Sequence, residues 1–81
     1  MSATFTEKQF RTELALSLKF LRKQNGLTQA ELAEKCGLIP AWISHYECGR
    51  RVPTAFNVYK LCLALNCEAG DLMSLPPHIW T

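Results

Sequence analysis

The stretch from Thr28 to Pro53, TQAELAEKCGLIPAWISHYECGRRVP, leaves the chain few choices of fold. It opens with a helix start signal that has a mechanism. The Thr28 hydroxyl can cap the free amides of a helix N-terminus, and Glu31, three residues on, can reach back to the Thr28 amide as a capping box. Leu27 and Leu32 flank that box as a hydrophobic staple. Ala30, Leu32, Ala33 and Cys36 give an apolar stripe, and Gly37 supplies the left-handed residue that ends the helix and turns the chain. A second helix has to follow almost at once. Pro40 suits its first position, where a missing N–H goes unnoticed, and Ala41 to Cys48 continue it to a stop at Gly49. Ile43 and Tyr46, with Leu38 before them, fall on the inner face, leaving Ala41, Ser44, His45 and Cys48 looking outward.

Two short helices at a steep angle, joined by a few residues that include a glycine, make a helix-turn-helix, whose second helix enters the major groove of DNA. After Gly49, Arg50 and Arg51 precede Pro53 in a loop where two guanidinium groups can grip backbone phosphates, the alternative being a solvated charge pair.

The rest of the chain supplies a frame for this pair. A helix from Glu7 to Asn25 has both ends written in the sequence: Thr6 and Gln9 form a second capping box, Phe5 and Phe10 its staple, and Gly26 the stop. Phe10, Leu14, Leu18 and Leu21 share its core face. Leu16 and Phe20 lie nearly opposite, either as scattered surface hydrophobes or as part of a contact with a second copy or another protein. Thr54 caps a fourth helix, about 55–65, with Val58, Leu61, Cys62 and Leu65 as its stripe and Asn66 as a left-handed terminator. A fifth spans about 68–73. Pro76 and Pro77 then stop any helix, and the tail 74–81, with Leu75, Ile79 and Trp80, is expected to be extended, either tucked against its own core or shared with a second subunit.

Composition narrows the class. Eighty-one residues, 48% hydrophobic, suffice for one small domain over 1–81 with a single core. No apolar run is long enough to span a membrane, and MSATFTEKQF lacks the basic start and apolar middle of a signal peptide, so a cytoplasmic protein is expected. A net charge of +2 does not by itself argue for nucleic acid. The four cysteines, Cys36, Cys48, Cys62 and Cys67, form no CxxC pair and have no histidine at zinc spacing, so structural thiols in a reducing compartment are expected, and no metal or other cofactor. The chain shows no candidate nucleophile with a base, no metal cluster and no phosphate loop, which argues against an enzyme.

The pattern resembles the phage repressor and Cro type of helix-turn-helix, also called the xenobiotic-response-element type of bacterial regulators. The residues that carry the resemblance are Leu21, Arg22, Gly26, Leu27, Thr28, Gln29, Glu31, Leu32, Ala33, Gly37, Ile43, Ser44, Glu47, Gly49, Arg51 and Pro53, with Leu61, Ala64 and Leu65 downstream. It covers about Leu18 to Leu72. The resemblance implies an all-α, compact five-helix lambda-repressor-like DNA-binding domain. It also implies a partly buried ion pair between Arg22 and Glu47 that fixes the angle of the reading helix. It places Thr28 and Gln29 at a phosphate, and Ile39, Pro40, Ala41, Ser44 and His45 at base edges.

Here this chain departs from the family. Polar readers are usual where Pro40 and Ala41 stand, and a Ser or Thr cap where Ile39 stands. Recognition is then expected to lean on thymine methyls, on His45 or Ser44, and on DNA shape. Trp42, where related sequences often carry Tyr, either covers the reading helix as a half-buried residue or lies against the sugar-phosphate backbone. The functional expectation is a sequence-specific regulator, a repressor acting as a homodimer on double-stranded DNA. The alternative is a protein-interaction module whose partner is a toxin, an antirepressor or a polymerase subunit.

Overall fold

A computed structural model describes residues 6–73. It contains five helices: α1 (Glu7–Gln24), α2 (Gln29–Cys36), α3 (Pro40–Glu47), α4 (Ala55–Leu65) and α5 (Ala69–Leu72), with no strand among the described residues. The tail residues Leu75, Ile79 and Trp80, and the staple residue Phe5, lie outside the described residues.

Three of the helices, α1, α2 and α4, begin where a threonine hydroxyl satisfies a backbone amide. The Thr6 hydroxyl accepts from the Gln9 amide at 3.1 Å while the Thr6 amide donates to Gln9 Oε1 at 2.8 Å. Thr28 and Glu31 repeat the arrangement at 3.0 and 2.8 Å, and the Thr54 hydroxyl accepts from the Asn57 amide at 3.1 Å. Such caps contribute about 1 kcal/mol apiece. At the other ends, Gly37 (φ 70°) closes α2 and Asn66 (φ 54°) closes α4, both in the left-handed region. Glu68 stands just outside α5, where its amide donates to Asp71 Oδ2 at 3.0 Å, so this helix is shorter at each end than the expected 68–73.

The apolar stripes meet in one core. Leu14 and Leu18 of α1, Leu32 of α2, Ile43 of α3, Leu61 of α4 and Leu72 of α5 are fully enclosed. Every helix therefore contributes to the same cluster, and each such side chain contributes roughly 1.5–3 kcal/mol. α3 lies against both α1 and α2, α4 against α2, and α5 closes the bundle against α1 and α4. Ala30, expected in the α2 stripe, is exposed instead, because Leu32, Ala33 and Cys36 already fill the space facing α3 and α4. No described helix is long and apolar enough to cross a membrane.

Gly37 and Gly70 offer a paired test of these backbone arguments. Both have open space around the position a methyl group would take, but only Gly37 has positive φ. In urea denaturation, Gly37→Ala is expected to cost about 1–2 kcal/mol through strain alone. Gly70→Ala, in the first turn of α5, is expected to stabilise by about 0.5 kcal/mol.

Candidate nucleic-acid interface

The reading helix is aimed by a buried ion pair. Arg22, near the end of α1, places Nε 2.6 Å from Glu47 Oε2 and Nη2 3.0 Å from Glu47 Oε1, a two-pronged contact to the last residue of α3. The remaining prong, Nη1, donates to the Leu27 carbonyl at 2.7 Å, which fixes the link into α2. The Glu47 side chain is 1% exposed and that of Arg22 11%. Hydrogen bonding to Glu47 raises the Arg22 pKa above an arginine's ordinary value, outweighing the desolvation that would lower it, so the guanidinium stays charged.

Gln29 adds a contact that the sequence did not disclose. Its side-chain Nε2 donates to Glu47 Oε1 at 3.1 Å, so the first residue of α2 is tied to the last residue of α3. An amide nitrogen carries two hydrogens, so one N–H is left over from this contact. Thr28 is committed to its capping box and sits exposed beside it. One signal for this cluster was present: Gln29 at the first position of α2 and Glu47 at the end of α3 both fall on the seam between the two helices.

α3 presents an apolar first turn. Its N-cap, Ile39, has extended backbone (φ −90°, ψ 153°) and no side-chain cap, and Pro40 follows at the first helical position. Ile39 is 59% exposed, and Pro40 and Ala41 are exposed beside it. Trp42 is 40% exposed. Its ring meets His45 edge-on, centroids 5.6 Å apart, and lies 6.1 Å from Tyr46, so it partly covers the helix while keeping one side open. Ser44 and His45 are half-buried. Tyr46 is in the core, its hydroxyl accepting from Asn57 Nδ2 at 2.9 Å.

Beyond α3 the chain turns through Gly49, and the Arg50 amide donates to the His45 carbonyl at 3.0 Å. Arg50 Nη1 lies 3.5 Å from His45 Nδ1, a long contact in which Nδ1 accepts when the imidazole proton sits on Nε2. Arg50 and Arg51 are both exposed. The fold thus brings the candidates together as one surface: Thr28 and Gln29 at one end, residues 39–45 between, and the two arginines at the other.

Other candidates separate from this surface. Leu16 and Phe20 are each 63% exposed on α1, as their position opposite its core face implies. Phe56, Tyr59 and Leu63 form a second exposed apolar row on α4, at 66%, 60% and 64%. That row was readable in AFNVYKLCLAL, which is apolar on nearly all sides. The cysteines are all free thiols: Cys36 is buried, Cys48 exposed, Cys62 and Cys67 half-buried. Among the described residues no cluster of three or more His, Cys, Asp or Glu could hold a metal ion.

A capped helix, a glycine turn and a second helix held by a buried ion pair with its first turn exposed define a helix-turn-helix DNA-binding regulator. The chain belongs to the helix-turn-helix family, whose model matches residues 18–72. It is 41% identical to antitoxin HipB of Escherichia coli K12 over 65 residues, covering 74% of each chain. The crystal structure of a hypothetical transcription factor, NHTF, from Neisseria superposes with a TM-score of 0.78 at 32% identity, over 96% of this chain and 88% of that one. The restriction-modification controller protein C.AhdI from Aeromonas hydrophila gives 0.74, also at 32%, over 76% of this chain and 94% of that one. The five-helix architecture expected from the sequence is the fold these regulators share.

Removing Arg22 isolates the ion pair. Arg22→Ala leaves the Glu47 carboxylate without its ion-pair partner in a nearly closed site, and chemical denaturation is expected to show a loss of about 3–5 kcal/mol. DNA binding should weaken with it. A variant that unfolds at the same denaturant concentration as the parent would show the pair to be dispensable.

The thiols provide an independent check on packing. Burial, reinforced by the neighbouring Cys62 thiol and by Asp71, pushes the Cys67 pKa up from its usual 9 to about 11. Since the fold favours the protonated form, its contribution to stability is fully present below about pH 9 and lost as pH rises toward 11. Iodoacetamide at neutral pH should therefore modify exposed Cys48 well before Cys67, as read by mass spectrometry.

Proposed function

We propose that this regulator is a sequence-specific repressor that binds a twofold operator as a homodimer, with α3 in the major groove. The observation that carries the proposal is the exposed surface along α3 with anion-binding groups at both ends. The start of α2 offers backbone amides, a helix dipole and the remaining Gln29 N–H to one phosphate, and Arg50 and Arg51 offer charge to another. Between them the helix lies against base edges.

The chemistry of that contact follows from the residues. Ile39, Pro40 and Ala41 have no side-chain donor or acceptor, so their selectivity comes from apolar contact with thymine methyls. Ser44 and the Nε2–H of His45 supply the polar readout. Trp42, beside His45, has an open ring edge that can face the sugar-phosphate backbone, which makes its fluorescence a reporter of binding. A single α3 contacts too few bases to select a site in a genome. Two copies reading half-sites about 34 Å apart, one turn of the duplex, would provide the specificity. Occupancy of a promoter by such a dimer in the cytoplasm excludes polymerase, hence repression.

A second activity is supported by the similarity to antitoxin HipB and by the exposed rows on α1 and α4. A protein partner, a toxin for instance, would use those rows and leave α3 to DNA.

Selection from random duplexes, followed by fluorescence anisotropy, tests the proposal. The winner should show twofold symmetry and bind on the order of a thousandfold better than a scrambled duplex at physiological salt. Equal, weak binding to both would overturn sequence-specific recognition. Arg50→Ala with Arg51→Ala should weaken every duplex and reduce the slope of log K against log salt by about 2, roughly one unit per phosphate contact.

A further inference from the structure

The turn after the reading helix is held from the far end of α1. Arg11 Nε donates to the Gly49 carbonyl at 2.9 Å, a contact across 38 positions of sequence. Its Nη1 lies 3.1 Å from Glu7 Oε2 one helical turn earlier, so the guanidinium is braced on its own helix as it reaches out. The backbone approaches too: a methyl group on Gly49 would sit 3.8 Å from the Arg11 carbonyl. At the other end of the same loop, buried Pro53 and Phe10 line one apolar groove of 710 Å³. The loop carrying Arg50 and Arg51 thus has its first carbonyl bonded to Arg11 and its closing proline in the wall of the groove that Phe10 also lines. Phe10 and Arg11 both lie ahead of the span 18–72 matched by the family, while Gly49 lies within it.

We propose that Arg11 is a positioning residue for DNA binding, holding the 49–53 loop in the conformation from which Arg50 and Arg51 engage phosphates. The inference rests on the reading that those two arginines hold phosphates. Its physical basis is preorganisation. A loop already ordered in the unbound protein gives up less freedom on binding, so more of each arginine–phosphate contact is retained as affinity. Glu7 partly neutralises Arg11, which keeps its charge local and leaves the hydrogen bond to Gly49 as its principal role.

The test is a double-mutant cycle on the full chain, with a fluorescein-labelled mixed-sequence duplex at low salt as the probe. Arg11→Met keeps the apolar stem and removes the donor. It is expected to weaken binding about five- to tenfold in the parent and less than about twofold in the Arg50→Ala, Arg51→Ala background, because the loop it positions then has nothing to deliver. Amide exchange gives the readout that a general loss of stability would not: the Arg50 amide should exchange faster in Arg11→Met, while the Leu18 and Ile43 amides in the core stay protected. An equal loss of affinity in both backgrounds would overturn the proposal, because Arg11 would then act on the DNA directly or on the whole fold. Unchanged exchange at Arg50 would overturn it as well. If the Arg50→Ala, Arg51→Ala pair alone leaves affinity and salt dependence untouched, the phosphate reading fails first and takes this inference with it.

Discussion

The domain depends on one carboxylate held where almost no water reaches it. Glu47 accepts three hydrogen bonds, two from Arg22 and one from Gln29. Each comes from a different helix than its own, so the site joins the end of α1, the start of α2 and the end of α3 at a single point. Apolar packing among Leu18, Leu32 and Ile43 brings these helices together without strongly preferring one crossing angle. Directional bonds to a charge do prefer one, since a small rotation leaves a lone pair or a guanidinium N–H unmatched at a cost of a few kcal/mol. The angle of the reading helix is therefore set electrostatically inside an apolar frame.

That rigidity complements a reading surface with little hydrogen-bonding capacity. Ile39, Pro40 and Ala41 make the first turn of α3 smooth and apolar, and the His45 ring lies between Trp42 and Arg50. A surface with few adjustable donors cannot correct a misaligned approach by swinging a long side chain toward a base. It needs the helix presented correctly from the outset. The three-bond anchor at Glu47 meets that need, tying the end of α1 and the start of α2 to the last residue of α3.

Local chemistry was legible in the sequence; contacts made across long separations were less so. The caps at Thr6, Thr28 and Thr54 and the left-handed stops at Gly37 and Asn66 follow from residue types a few positions apart, and the structure places each as expected. Arg22 and Glu47 stand 25 positions apart and were paired only through resemblance to a known family. Arg11 with Gly49 had no such guide: the two lie 38 positions apart with Arg11 ahead of the family's span, and an arginine on an exposed helix face looks the same whether or not it finds a carbonyl. The exposed row on α4 was missed for another reason. Periodicity marked the buried stripe of this almost wholly apolar helix, Val58, Leu61 and Leu65, and attention to that stripe passed over the apolar residues on its other side, Phe56, Tyr59 and Leu63.

The shared family span opens at residue 18, in the middle of α1, yet the helix continues unbroken from Glu7 to Gln24. Its 18 residues make a bar about 27 Å long. Leu14 and Leu18 fix it in the core, Phe10 and Leu21 pack against that core on either side, and Arg11 reaches from it to the turn at Gly49. Through Arg11, a helix that begins well ahead of the shared span thus bears directly on the turn that leads into the arginine loop.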